Sequence, residues 1–204
     1  MSCDHYESLC QSIDNMADWK AGALCTVCAA KVAPIIARLG LPDTWRLVEE
    51  CLEFVWGSVG QYSDKKEALR LTKALESTPE WQCEDNSFLP FAVKRALDFI
   101  KFALLGITSS AAKEEAKKAL SLLVEVAESF DTSARKFPSC DTIKPIDIRL
   151  QASEESSQER LVKMLEKASA APGQTMAALR QEANVVAELF RVLLLIYCYD
   201  YVRS

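Results

Sequence analysis

The sequence predicts an all-α protein, a single-domain bundle of about eight helices closed by an apolar C-terminal helix, and three observations carry that expectation. Apolar residues recur at i, i+3 and i+4 through most of the chain, the period of a helix with one buried face. Ala, Leu, Glu and Lys, all good helix formers, dominate the composition. Only 6 glycines and 7 prolines occur in 204 residues, too few to turn a many-stranded sandwich or barrel. Apolar residues make up 50% of the chain and charged ones 26%, the balance of a chain that buries its own core rather than staying disordered.

The first helix spans about Asp4 to Met16, with Tyr6, Leu9, Cys10 and Ile13 at helical spacing. The second runs from an N-cap at Asp18 to Leu39, with Leu24, Val27, Cys28, Lys31, Val32, Ile35 and Ile36 as a wide inward stripe and a kink expected at Pro34. Gly40-Leu41-Pro42 breaks the chain. Asp43 is then read as the cap of a third helix, with Leu47, Val48, Cys51, Leu52, Val55 and Val59 inward and Gly57 and Gly60 at its fraying end. Asp64 to Ser77 forms a shorter helix that buries Ala68, Leu71 and Leu75 and closes at Thr78-Pro79. Apart from Trp81 and Cys83, the stretch Glu80 to Ser87 is polar and reads as a loop. Phe88 to Ile107 is helical with Pro90 in its first turn, where the missing N–H is harmless. Ser109-Ser110 starts the next helix, whose Ala112, Ala116, Ala119, Leu120, Leu123, Val126, Ala127 and Phe130 form a small-residue face suited to close helix approach.

Pro138 and Pro145 rule out a continuous helix across Phe137 to Pro145. Residues 1–137 are therefore expected to form the main helical bundle, and residues 138–204 a C-terminal helical pair packed on the same core. Asp147 to Ala170 reads as a helix that is very polar through Ser153 to Ser157, with Leu161, Met164, Leu165 and Ala168 inward. Pro172-Gly173 reads as a turn. The last helix, about Thr175 to Arg203, is apolar on nearly all sides from Val185 to Ile196, so it is either central or buries a second face against another chain.

The net charge of −5 disfavours attraction to phosphate backbones, and no nucleic-acid partner is expected. Mild acidity suits a basic protein partner, and equally suits a protein that only needs solubility. The start, Met1 to Glu7, has neither the basic nor the apolar region of a signal peptide, so the 8 cysteines are expected to be reduced thiols in the cytoplasm. Val185 to Val202 is interrupted by Glu188, Arg191 and Asp200 and falls short of the ~20 apolar residues that span a bilayer; no transmembrane helix and no membrane partner are expected.

His5 is the only histidine, which removes Ser-His-Asp and Cys-His systems unless His5 itself is the base, together with the His-rich metal motifs of helical proteins. Phosphate-binding Gly-rich loops are absent. Cys25-Thr26-Val27-Cys28 has metal or redox spacing but lies mid-helix in an apolar stripe, where thiols act as small hydrophobes. No catalytic residue, metal or cofactor is assigned. The candidate partner-binding residues are of two kinds. Glu49, Glu50 and Glu53 cluster on the third helix, where Glu49 and Glu53 share a face and repel by a few tenths of a kcal/mol, unless that face is merely solvated. Trp81 with Glu84 and Asp85, and Tyr199 and Tyr201 around Asp200, pair interface-forming aromatics with acids, although such aromatics also cap cores.

Asp18-Trp19, Cys28-Ala29-Ala30-Lys31-Val32-Ala33-Pro34, Leu52-Glu53-Phe54-Val55-Trp56, Leu75-Glu76-Ser77-Thr78-Pro79 and Pro90-Phe91-Ala92-Val93 form an ordered series. Over about Ala17 to Phe130, with a fainter echo near Arg160, the series resembles the bacterial family catalogued as domain of unknown function 416, and more distantly the helical immunity proteins of polymorphic toxin systems. Ala30 and Lys31 stand where that family places Glu and Arg. The resemblance implies an all-helical bacterial protein without an active site to carry over. The expected function is a cytoplasmic immunity protein that binds and neutralises a cognate, basic toxin acting in the cytosol. The alternative is a helical scaffold that homodimerises through its last helix; a third reading is an enzyme using Glu49 or Glu53 with a divalent ion.

Overall fold

A computed structural model of the chain describes residues 3–61, 63–85, 87–134, 149–168 and 172–201. Among them the chain is all-α, with nine helices and no strand. These are α1 (Cys3–Asp14), α2 (Asp18–Leu39), α3 (Pro42–Ser58), α4 (Lys65–Glu76), α5 (Pro79–Gln82), α6 (Phe88–Gly106), α7 (Ala112–Ala134), α8 (Leu150–Lys167) and α9 (Pro172–Tyr201).

α2 is the helix around which the others pack. Every residue from Ala21 to Ala29 and from Lys31 to Ile36 is buried, and α3, α6, α7 and α9 all lie against it. It is also the one described helix long and apolar enough to cross a membrane, and 78% of its apolar window is covered by the rest of the protein. The helix of membrane-spanning composition is thus α2 rather than the C-terminal one. Its closest neighbour is α6, because glycines meet at their crossing: a Cβ on Gly22 would stand 2.8 Å from the Gly106 carbonyl oxygen, and one on Gly106 would stand 3.0 Å from Cys25 Sγ. Near the α6–α7–α9 junction, Phe130 takes Phe88 edge-on at 5.0 Å and Phe190 at 5.4 Å between centroids. α8 packs on α7 and α9, and α9 on α2.

Several element ends differ from the sequence expectation. Asp18 is the first residue of α2 and Ala17 its N-cap, which makes no side-chain cap; the Asp18 carboxylate favours the helix start through the dipole instead. Asp43 does not cap α3. Pro42 occupies the first turn, and the capping acceptor comes from α5, where Glu80 Oε1 takes the Leu41 N–H at 2.6 Å and Oε2 takes the Thr44 hydroxyl at 2.7 Å. Glu80 to Gln82 are therefore helical rather than loop. α4 does follow local capping rules, since the Asp64 carboxylate accepts from the N–H groups of Lys66 and Glu67. α7 starts at Ala112 instead of Ser109-Ser110, and the Ser109 hydroxyl accepts the Ala111 N–H in the turn before it. Pro172-Gly173 is not a separate turn but the start of α9, since proline is well placed where an N–H has no partner. The expected break at residues 138–145 lies outside the described residues.

Candidate functional site

The acidic face of α3 follows from its inward set. Val48, Cys51 and Val55 are buried, which turns Glu49, Glu50 and Glu53 outward, and all three are exposed. Glu50 has a partner in the next helix, where the Arg70 guanidinium pairs with it and also with Glu67 at 2.7 Å. Those bonds hold the Glu67 carboxyl below its usual range and raise Arg70. Glu49 and Glu53 have no ion-pair partner among the described residues. The α3 face is therefore only partly neutralised, with one of its three carboxylates clamped and two left one turn apart.

Trp81, expected on an exposed loop, is half-buried on α5 and packs against the core. Lys101 lies 5.1 Å from its ring centroid and pairs with Glu76 at 2.6 Å, so the indole already has a cation. Glu84 and Asp85 follow α5 and are exposed, with Asp85 Oδ1 taking the Ser87 N–H at 2.8 Å. The Glu80 bonds tie α5 to the start of α3, so the Trp81 to Asp85 segment is anchored to the element that carries the glutamates. Tyr199, Asp200 and Tyr201 fall in the last turn of α9, and their side chains lie outside the described residues.

The strongest electrostatic feature is one that the candidate residues did not include. Lys31 Nζ donates to both carboxylate oxygens of Glu154 at 2.8 Å, with neither side chain exposed at all. Around the pair, Gln158 Nε2 donates to the Leu120 carbonyl at 3.0 Å, while Ser157 and Arg160 donate to Glu182 Oε1 at 2.9 and 2.6 Å. Gln158 Oε1 is buried and accepts no hydrogen bond. Burial pushes the Glu154 carboxyl up, with Lys31 opposing; burial also acts upward on Glu182, but the Arg160 and Ser157 hydrogen bonds outweigh it and leave that carboxyl below its usual range. This network ties α2 to α8 and α8 to α9. A lysine inside the apolar stripe of α2 was its one local signal. The partner sits in the polar run of α8, where Leu150, Glu154, Ser157, Gln158, Leu161 and Leu165 share the buried face.

Cys25 and Cys28 are fully buried; burial raises the Cys25 thiol well above its ordinary value and pushes Cys28 up to about 12. Cys51 on α3 is likewise pushed up to about 12 by burial. Among the described residues, no group of three or more His, Cys, Asp or Glu side chains is placed to hold a metal ion. Comparison with protein families, with curated proteins and with solved structures finds no match to this chain.

Proposed function

We propose that this protein is an immunity protein, which binds a cognate bacterial toxin and blocks it by occupancy rather than by catalysis. The observation that carries the reading is the unequal treatment of the α3 glutamates: Glu50 is clamped by Arg70, whereas Glu49 and Glu53 stand exposed on the same helix and form no ion pair with any described residue. Two carboxylates one turn apart repel, and a cationic side chain docked between them removes the repulsion and gains two charge-assisted contacts. Glu84 and Asp85, exposed beyond α5, add to the attraction for a basic surface and speed encounter. The likeness to the family of domain 416 and to helical immunity proteins supplies the partner class. A basic toxin acting in the cytosol, a nuclease or a nucleotide-modifying enzyme, fits an acidic inhibitor.

Co-expression with the toxin encoded beside it tests the reading. Wild-type protein is expected to keep cells alive, and the Glu49→Lys, Glu53→Lys double variant to lose most of that protection while keeping its helical circular dichroism and melting temperature. Cells that die as readily with the protein as without it, or protection untouched by the charge reversal, would overturn the proposal.

A further inference from the structure

The residues of α9 turned away from the bundle mix polar side chains, Arg180, Gln181, Asn184, Glu188 and Arg191, with three large apolar ones. Val185, Val192 and Leu195 are 53%, 38% and 59% exposed, three of the five large apolar side chains exposed among the described residues. The opposite side of the helix is already used, since Leu179, Ala183, Val186, Phe190, Leu193 and Leu194 are buried and α9 packs on α2 and α8. Along the outer face, Gln181, Val185, Glu188, Val192 and Leu195 follow one another in steps of four, three, four and three. This alternation is a heptad seam, with a 3.5-residue repeat that keeps one line of a helix against a partner helix. The seam places Val185 and Val192 at one heptad position and Gln181, Glu188 and Leu195 at the other.

We infer that the outer face of α9 pairs with the α9 of a second copy of this chain, running antiparallel to it. Charge decides the direction. In a parallel pair Glu188 would meet its own copy on the seam, two like charges in a desolvating contact. In an antiparallel pair with Val185 opposite Leu195, Glu188 falls opposite Val192, and Arg191 of each copy comes alongside Glu188 of the other. Arg191 and Glu188 already pair within one helix, so the carboxylate and guanidinium stand on the correct side for the crossed contact. The charge pattern of this face is its own complement under a two-fold rotation, as an isologous dimer requires. From Val185 to Leu195 the seam is only about 15 Å long, which places the contact among small, readily reversible interfaces.

Sedimentation of the full chain across the micromolar range tests the pairing. The wild type is expected to form a reversible dimer, and Leu195→Glu to weaken it by about tenfold or more with an unchanged melting temperature. Leu194 is buried, so a charge there would report on folding instead. Direction is read from cysteines under mild oxidation, with wild type as the background. Val185→Cys copies mixed with Leu195→Cys copies are expected to cross-link, and Val185→Cys alone is not. A wild type that stays monomeric throughout, leaving this face to some other partner, overturns the inference. So does a dimer indifferent to Leu195→Glu, or self-cross-linking of Val185→Cys.

Discussion

Lys31 and Glu154 meet at 2.8 Å with no part of either side chain exposed, although 123 residues of sequence separate them. Both charges have left water, so the pair is held together by mutual attraction against a large desolvation penalty. Removing one member strands the other. Lys31→Ala or Glu154→Ala is expected to destabilise the fold by about 3–5 kcal/mol, whereas the Lys31→Met, Glu154→Leu double variant should be close to neutral or more stable. Urea unfolding at constant m-value measures all three. A double variant as unstable as the singles would show that packing at this point, and not the stranded charge, sets the loss.

The α2–α6 crossing depends on two glycines, and a methyl group at either has nowhere to go. Gly22→Ala would bring a carbon 2.8 Å from the Gly106 carbonyl oxygen, and Gly106→Ala would press on Cys25 Sγ at 3.0 Å and Cβ at 3.2 Å. Each is expected to lower stability by about 1–3 kcal/mol through forced separation of the two helices. Gly57 in α3 offers the contrast, because nothing lies within 4 Å of a Cβ built there. Gly57→Ala should raise stability by up to about 1 kcal/mol, since alanine is the better helix former. Thermal melts of the three variants decide it, and a destabilised Gly57→Ala would mean that the α3 end needs glycine for another reason.

The helical class was readable because a 3.6-residue period needs only local sequence, and the same period turned Glu49 and Glu53 outward once Val48, Cys51 and Val55 pointed in. Features made by distant partners were not readable. The start of α3 is capped by Glu80 from another helix, so local rules chose the nearer Asp43. Arg70 neutralises Glu50 from α4, and no local pattern distinguishes Glu50 from Glu49. On α8 the buried face was visible in the spacing of Leu150, Glu154, Gln158, Leu161 and Leu165, but a search for apolar residues passes over its polar members. A lysine in an apolar stripe requires a buried acid, and the chain gives no rule for which one.

The thiols should sort by burial. Cys25 and Cys28 are fully covered, with thiols held above their ordinary values by burial, while Cys10 and Cys83 are only partly covered. Alkylation proceeds through the thiolate at an accessible sulfur. Native protein treated with iodoacetamide near pH 8 is expected to label Cys10 and Cys83 well before Cys25 and Cys28, which should react only after unfolding. Peptide mapping by mass spectrometry reads the order. Early labelling of Cys25 would mean that the α2–α6 crossing opens in the native state.

Acid stability should carry the signature of Glu182. Its carboxyl is pushed up by burial but held below its usual range by the hydrogen bonds from Arg160 and Ser157. A carboxylate whose value is lower in the folded chain than in the unfolded one favours folding above the unfolded value of about 4.3, and that contribution disappears as pH falls through the lower, folded value. Glu154 acts in the opposite sense, since burial raises it and the folded chain takes up its proton at a higher pH than the unfolded chain does. The wild-type curve is therefore a sum of opposing parts, and only a difference isolates Glu182. Glu182→Gln keeps the shape and removes the titration. The stability gap between wild type and this variant is expected to be full at neutral pH and to close steadily below about pH 4, as read from urea midpoints across that range. A gap that stays constant from neutral pH into acid would mean that Arg160 and Ser157 do not favour the ionised form of Glu182 in solution.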